Sequence, residues 1–210
     1  MQAQNKKLVA DSAVVKASFR GVRLDVDIVP LVSSFLYHGE RYNYEAALVA
    51  DMKHKYFPTI EIGYGGANKS TLVGFHFKDA GVFTRLGVDF SLVKPPKDKK
   101  PSPNLFFAGM RLAFSTFTYS YSNLVIQDNY WGQQVTKDFN DIRASKLWFE
   151  LTAGMRVEVV KNIFMGWTVR RKILLNQDEL GNVYPWYIPG FGLKGEGQNW
   201  GVNYALCYKF

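Results

Sequence analysis

No run of about 18 apolar residues occurs in this chain, so no hydrophobic α-helix long enough to cross a bilayer is encoded. Cysteine is nearly absent. The single Cys207 excludes an intramolecular disulfide and a cysteine-rich zinc site, and it falls in a strand pattern as a small filler. Histidine is scarce too, with His38, His54 and His76 alone, and no His/Asp/Glu spacing suggests a metal site. The opening residues MQAQNKKLVADSA lack the apolar core of a cleavable signal, as those of a mature exported protein also would. Acidic residues number 18 against 26 basic ones, and the excess is partly local, in KPPKDKK at 94–100. A basic balance suits nucleic acid or an anionic membrane surface. No basic helix and no nucleic-acid module is present, so no nucleic-acid partner is expected. Two glycine-rich stretches fail as cofactor loops. GYGGANKST (63–71) has Asn68 where a phosphate loop needs glycine, GFGLKGEG (190–197) has the GxGxxG spacing, and no helical pattern follows either. No cofactor is expected.

What the chain does have is alternation. In LWFELTAGMRVEVVKNIFMGWTVRRKILL (147–175), split at Lys161-Asn162, every second residue is bulky and apolar. Leu147, Phe149, Leu151, Met155 and Val157 share one face of the first arm; Glu150, Thr152, Gly154, Arg156 and Glu158 share the other. A period of two is the signature of a strand. Similar segments at 19–29, 42–52, 59–66, 82–93, 105–121 and 199–210 bring the expected total to eight strands. The connections 30–41, 67–81, 122–146 and 176–198 are long, 53–58 and 161–162 are short, and 93–104 is of middling length. Long and short connectors in alternation describe an up-and-down meander, and an even strand count with long loops at one end fits a transmembrane barrel.

The glycines orient the faces. Gly21, Gly63, Gly65, Gly87, Gly109, Gly154, Gly166 and Gly201 lie in or beside strands on the charged face. Small residues belong on the crowded concave side of a narrow barrel. An eight-stranded barrel cannot hold all the bulky residues inside, so they are expected outside, against lipid. The interior is then a packed ion-pair network of Arg23, Asp25, Asp27, Glu61, Arg85, Asp89, Arg111, Glu150, Arg156, Glu158, Arg170 and Lys172, joined by Glu45, Asp51 and Lys209. The fold expected is therefore an all-β, eight-stranded antiparallel outer-membrane barrel over 19–210, its lumen filled by charged side chains, preceded by an arm at 1–18 on the periplasmic side. A soluble β-sandwich, which also alternates polar and apolar faces, is the rival, and long strands with aromatic ends speak against it. Arg171 points toward lipid by parity and is expected to snorkel to the outer headgroups, with a lipid phosphate as a sharper alternative.

The last ten residues, GVNYALCYKF, resemble the C-terminal insertion signal of outer-membrane proteins: Tyr204, Leu206 and Tyr208 share a face and Phe210 ends the chain. Over most of 19–210 the chain also resembles an uncharacterised family of small outer-membrane barrels from Bacteroidota, through DNYWG (128–132), WFELTAGMRVEVVKNIFMGWTVRRKILL (148–175) and PWYIPGFG (185–192). The resemblance implies a bacterial outer-membrane location and supplies no catalytic residues. Some members resemble accessory barrels of multi-protein assemblies such as the barrel-assembly machinery. The role expected is non-catalytic: a structural subunit that meets outer-membrane lipid through its strands and other envelope proteins through its loops. Tyr130, Trp131, Tyr184, Trp186, Tyr187 and Phe191 are the candidate contacts, or else form a lid over the barrel. The alternatives are a lipid-modifying enzyme built on external His38 or His76, with Ser33, Ser34 and Asp79 nearby in sequence, and a narrow channel.

Overall fold

The computed structural model describes residues 19–30, 40–71, 74–93, 102–127, 134–176 and 183–210. The strands are β1 (Phe19–Asp27), β2 (Arg41–Met52), β3 (Tyr56–Ser70), β4 (His76–Ser91), β5 (Leu105–Gln127), β6 (Gln134–Val160), β7 (Ile163–Leu174), the short β8 (Tyr187–Ile188) and β9 (Gly192–Leu193), and β10 (Gln198–Lys209). Eight of them form a closed antiparallel ring in the order β1-β10-β7-β6-β5-β4-β3-β2, while β8 and β9 pair as a separate hairpin. Closure joins the first and last strands, with Leu24 opposite Tyr208 and Val26 opposite Leu206. The 1–18 segment and the 128–133 connection, with Tyr130 and Trp131, lie outside the described residues, as do His38, Ser33 and Ser34.

Period-two alternation sets the faces. On β3, Ile60, Ile62 and Tyr64 point out and are exposed, while Thr59 and Glu61 are buried within. The apolar exterior runs from Tyr56 to Tyr64 on β3, from Phe106 to Phe114 on β5 and from Tyr208 to Trp200 on β10. Each run covers eight steps along its strand, about 26 Å of chain and about 20 Å along the axis of a tilted barrel. Tyrosines, phenylalanines and Trp200 mark its edges. The inward glycines make room: a Cβ at Gly109 would overlap Asp89 Oδ1, and one at Gly63 would overlap the Phe83 ring.

The strands run longer than their sequence pattern announced. Residues 67–70 and 76–81, expected in a connection, belong to β3 and β4. Residues 122–127 and 134–139 form a two-stranded ribbon, the far ends of β5 and β6, extending beyond the partners β4 and β7, and 142–146 continue β6 beside β5. The reason lies in the phase of the alternation. Up to Phe114, β5 places apolar residues outward and Gly109, Arg111 and Ser115 inward. Beyond it, Thr116, Thr118 and Ser120 face out, and Phe117, Tyr119 and Tyr121 are buried within. The strand continues but the polarity of its faces reverses. Neighbouring strands reverse likewise: exposed Lys78 and buried Phe77 on β4, exposed Arg143 and half-buried Ile142 on β6.

The interior is layered. A small apolar cluster of Val49, Phe57, Leu105 and Phe107 lies toward the short turns. A larger cluster fills the ribbon end, including Phe77, Phe83, Phe117, Tyr119, Tyr121, Trp148, Ile188 and Phe191. Charged residues occupy the layer between. The interior thus holds more aromatic surface than an ion network alone.

Candidate functional site

The middle layer is built from strand positions two apart, so each strand contributes one or two charges at matched heights. Arg85 donates through Nε to Glu150 Oε1 (2.9 Å) and through Nη1 to Glu45 Oε2 (2.7 Å) and Glu61 Oε2 (3.0 Å). Arg170 donates through Nη1 to Glu61 Oε2 (2.9 Å) and Glu150 Oε2 (3.1 Å), and through Nη2 to Glu45 Oε1 (3.3 Å). One step toward the turns, Arg111 Nη2 donates to Asp89 Oδ2 (3.0 Å) while its Nε lies 2.9 Å from Glu61 Oε1. Arg156 Nη2 lies 3.4 Å from Asp25 and 3.5 Å from Asp89, and Arg23 Nε donates to Asp25 Oδ1 (2.6 Å). Three arginines converge on Glu61 alone. Burying charge is costly unless it is paired and hydrogen-bonded, and shared carboxylates with forked guanidiniums satisfy both conditions.

Three members of the expected network behave differently. Glu158 is half-buried and accepts the Asn162 N–H (3.0 Å), capping the tight turn; among the described residues it makes no ion pair. Its position at the end of β6 places it beyond the ionic layer. Asp27 accepts Val29 N–H (3.0 Å), Tyr204 N–H (3.3 Å) and the Asn203 amide, so it is held by neutral donors. Lys172 donates to two carbonyls, Gly190 O (2.7 Å) and Phe191 O (3.2 Å), rather than to a carboxylate.

Those two carbonyls belong to the described part of the last long connection, which turns inward. Ile188 and Phe191 are fully buried and Tyr187 nearly so. Arg85 Nη2 also donates to Gly190 O (2.9 Å), Gly190 N–H donates to Asn43 Oδ1 (3.1 Å), and Asn199 Nδ2 donates to Phe191 O (3.1 Å). From the ribbon side, Tyr119 and Tyr121 hydroxyls donate to Val183 O (2.9 Å) and Tyr184 O (2.7 Å). Arg41 lies over the Trp186 ring at 5.0 Å. Tyr187 and Phe191, expected as partner contacts or as part of a lid, are therefore core residues of a plug. Trp186 is half-buried, and Tyr184 alone of this loop's four candidates is exposed. The prolines and glycines of PWYIPGFG were a legible sign of a shaped loop, but its inward direction had no signal in the sequence.

A polar cavity of about 240 Å³ remains beside the plug, lined in part by Asp27, Asn43, Glu45, Arg85 and Lys172. The void beneath it, among Asp25, Glu61, Arg111 and Arg170, is about 30 Å³, room for a water or two.

Asp79 is a buried acid that the sequence reading placed in an external loop. It sits on β4 opposite Ala67 and Tyr119, beyond the apolar exterior of both neighbours. Its Oδ1 accepts the Ala67 N–H (2.5 Å) and its Oδ2 has no partner among the described residues. Burial pushes its carboxyl up to about 7, with the Ala67 bond offsetting only part of that effect. The titratable groups it influences are the phenols of Tyr42, Tyr121 and Tyr187.

Of the two candidate histidines only His76 is among the described residues, and it does not assemble with Asp79. His76 points outward on β4, where its Nδ1 lies 2.9 Å from Ser70 Oγ, whereas Asp79 points inward. His54 closes the β2–β3 turn, bonded to Asp51 and to Ser102 O (3.0 Å). Among the described residues no group of His, Cys, Asp and Glu could hold a metal ion. Arg171 lies over the outward Trp200 ring at 5.0 Å and donates to Gln198. At the chain end, Leu206, Tyr208 and Phe210 are exposed and Tyr204 is half-buried against Trp167. No curated protein and no solved structure matches the chain. One family does, described as Domain of unknown function (DUF6048), across residues 1–210. The chain belongs to that family, and its eight-stranded ring with a charge-paired interior is a fold for it.

Proposed function

We propose that this protein is a transmembrane β-barrel of a bacterial outer membrane, working without catalysis as a structural subunit of an envelope protein assembly. The observation that carries the membrane half is the reversal of face polarity along β4, β5 and β6. An apolar outside gives way to a hydroxyl-bearing and cationic outside while the strands run on unbroken. That change suits a strand leaving hydrocarbon for water. Aromatic side chains at both edges of the apolar exterior suit the two interfaces. Within this reading the short turns are periplasmic and the ribbon is extracellular. The outward face of β10, with Leu206 and Tyr208 exposed, serves insertion by strand pairing.

The subunit half rests on what the interior is used for. Among the described residues the lumen is filled by paired charges and a plug and brings together no His/Ser/Asp set, which favours the surface as the working part. The β5–β6 ribbon, reaching past its neighbours, is the partner-binding element, replacing the plug aromatics in that role. Purification in mild detergent tests the assignment. Stable co-purifying envelope proteins, lost when residues 122–143 are replaced by a two-residue turn, are expected. Recovery as a lone species from native membranes would end the subunit reading, and a folded monomer in buffer without amphiphile would end the membrane reading.

A further inference from the structure

The outward surface just beyond the apolar exterior is not neutral. On β4 Lys78 points out and is exposed; on β6, two strands away, so does Arg143. Between them runs β5, whose outward residues here are Thr118 and Ser120. The register ties them together: Lys78 is opposite Ser120, and Thr118 is opposite Arg143. Neighbouring strands lie about 4.8 Å apart and the two pairs are offset by two residues along β5, so the Cα atoms of the two cations lie about 12 Å from each other across the hydroxyl row. Lysine and arginine side chains are long enough to lean over the strand between and meet above it. Neither forms an ion pair among the described residues, and one acid borders the patch: exposed Asp141, two residues from Arg143 on β6, whose backbone N–H donates to Ser120 Oγ (3.0 Å). Below them on the outward face, past Thr116 and Ser145, Phe114 and Leu147 belong to the apolar exterior.

We propose that Lys78, Arg143, Thr118 and Ser120 form a binding site for the phosphate of a membrane lipid headgroup. The proposal rests on the transmembrane reading and adds a ligand class to it. The cations supply charge, and the hydroxyls donate hydrogen bonds to phosphate oxygens. Phe114 and Leu147 lie where the attached acyl chains descend. That last contact selects a lipid over free phosphate, because a soluble anion gains nothing from the apolar surface beneath.

Native mass spectrometry of the full chain in detergent micelles tests the site, with phosphatidic acid and phosphatidylcholine as competing probes. A cation beside an anionic headgroup is worth about 1 kcal/mol, or about fivefold, so Lys78→Gln with Arg143→Gln should cut the preference for phosphatidic acid about 25-fold. Lys137→Gln, on the exposed ribbon above, should leave it unchanged. Wild-type protein without a preference, or a preference that survives the double substitution, overturns the site. Full displacement of the lipid by millimolar inorganic phosphate overturns the lipid as ligand. Both failures are read on protein that is inserted and folded, so they are distinct from failure of the transmembrane reading, which shows as solubility without detergent.

Discussion

Glu61 shows how the interior depends on single carboxylates. Three buried arginines share it, so its removal leaves buried positive charge short of a counterion. Breaking a buried pair in this way costs about 3–5 kcal/mol. Glu61→Ala should therefore lower the unfolding midpoint in detergent sharply, read as loss of the compact, heat-modifiable form. Glu158→Gln, at the rim, should change stability by no more than about 0.5 kcal/mol. Asp79 predicts a pH effect of definite sign. Its folded carboxyl titrates near 7, above the ordinary carboxylate range, so the folded state holds the extra proton between those limits. The stability from that proton is present in full below the ordinary value of 3.8 and is lost progressively as pH rises from there to about 7. Asp79→Asn should thus match wild type only near pH 3 and exceed it at pH 8, by about 1–3 kcal/mol for a relieved buried acceptor. Thermal scans of the two proteins at both pH values decide it.

At the scale of elements, strand number and facing were legible and strand length was not. Alternation in 147–175 fixed β7 and the turn end of β6 nearly to the residue, because that part is almost uniformly apolar on one side. The far parts of β3 through β6 escaped because a search for apolar-out alternation stops where the phase reverses. Phe117, Tyr119 and Tyr121 were visible as alternating aromatics but were assigned to the same strand without their change of environment being seen. The plug was hidden for a different reason. Its burial comes from long-range bonds of Arg85, Lys172 and Tyr119 to its carbonyls, and a backbone acceptor leaves no mark in sequence. An element-scale prediction follows: Lys172→Met removes the donor to Gly190 and Phe191, so protease cleavage within 183–197 should become faster while the ring of strands stays intact. Equal cleavage rates would mean that the plug is held by its aromatic packing alone.

At the scale of the molecule, the charged interior was the best-read feature of the site. Parity alone placed Arg23, Asp25, Glu61, Arg85, Asp89, Arg111, Glu150, Arg156 and Arg170 together, and the structure joins them in one layer. Their individual partners were not readable, since those depend on strand stagger around a closed ring. With this layer intact and the plug above it, planar bilayers containing the protein should show no steady single-channel conductance; steps of current abolished by Arg156→Ala would revive the channel alternative. The switch of face polarity along β5 has one more consequence on the transmembrane reading. Sliding the molecule outward by one outward-facing pair would wet Phe114, and sliding it inward would carry Thr116 into oil, so its immersion depth is written into the chain. A bilayer of the wrong thickness would have to deform around the protein, and the protein would settle in membrane of matching width.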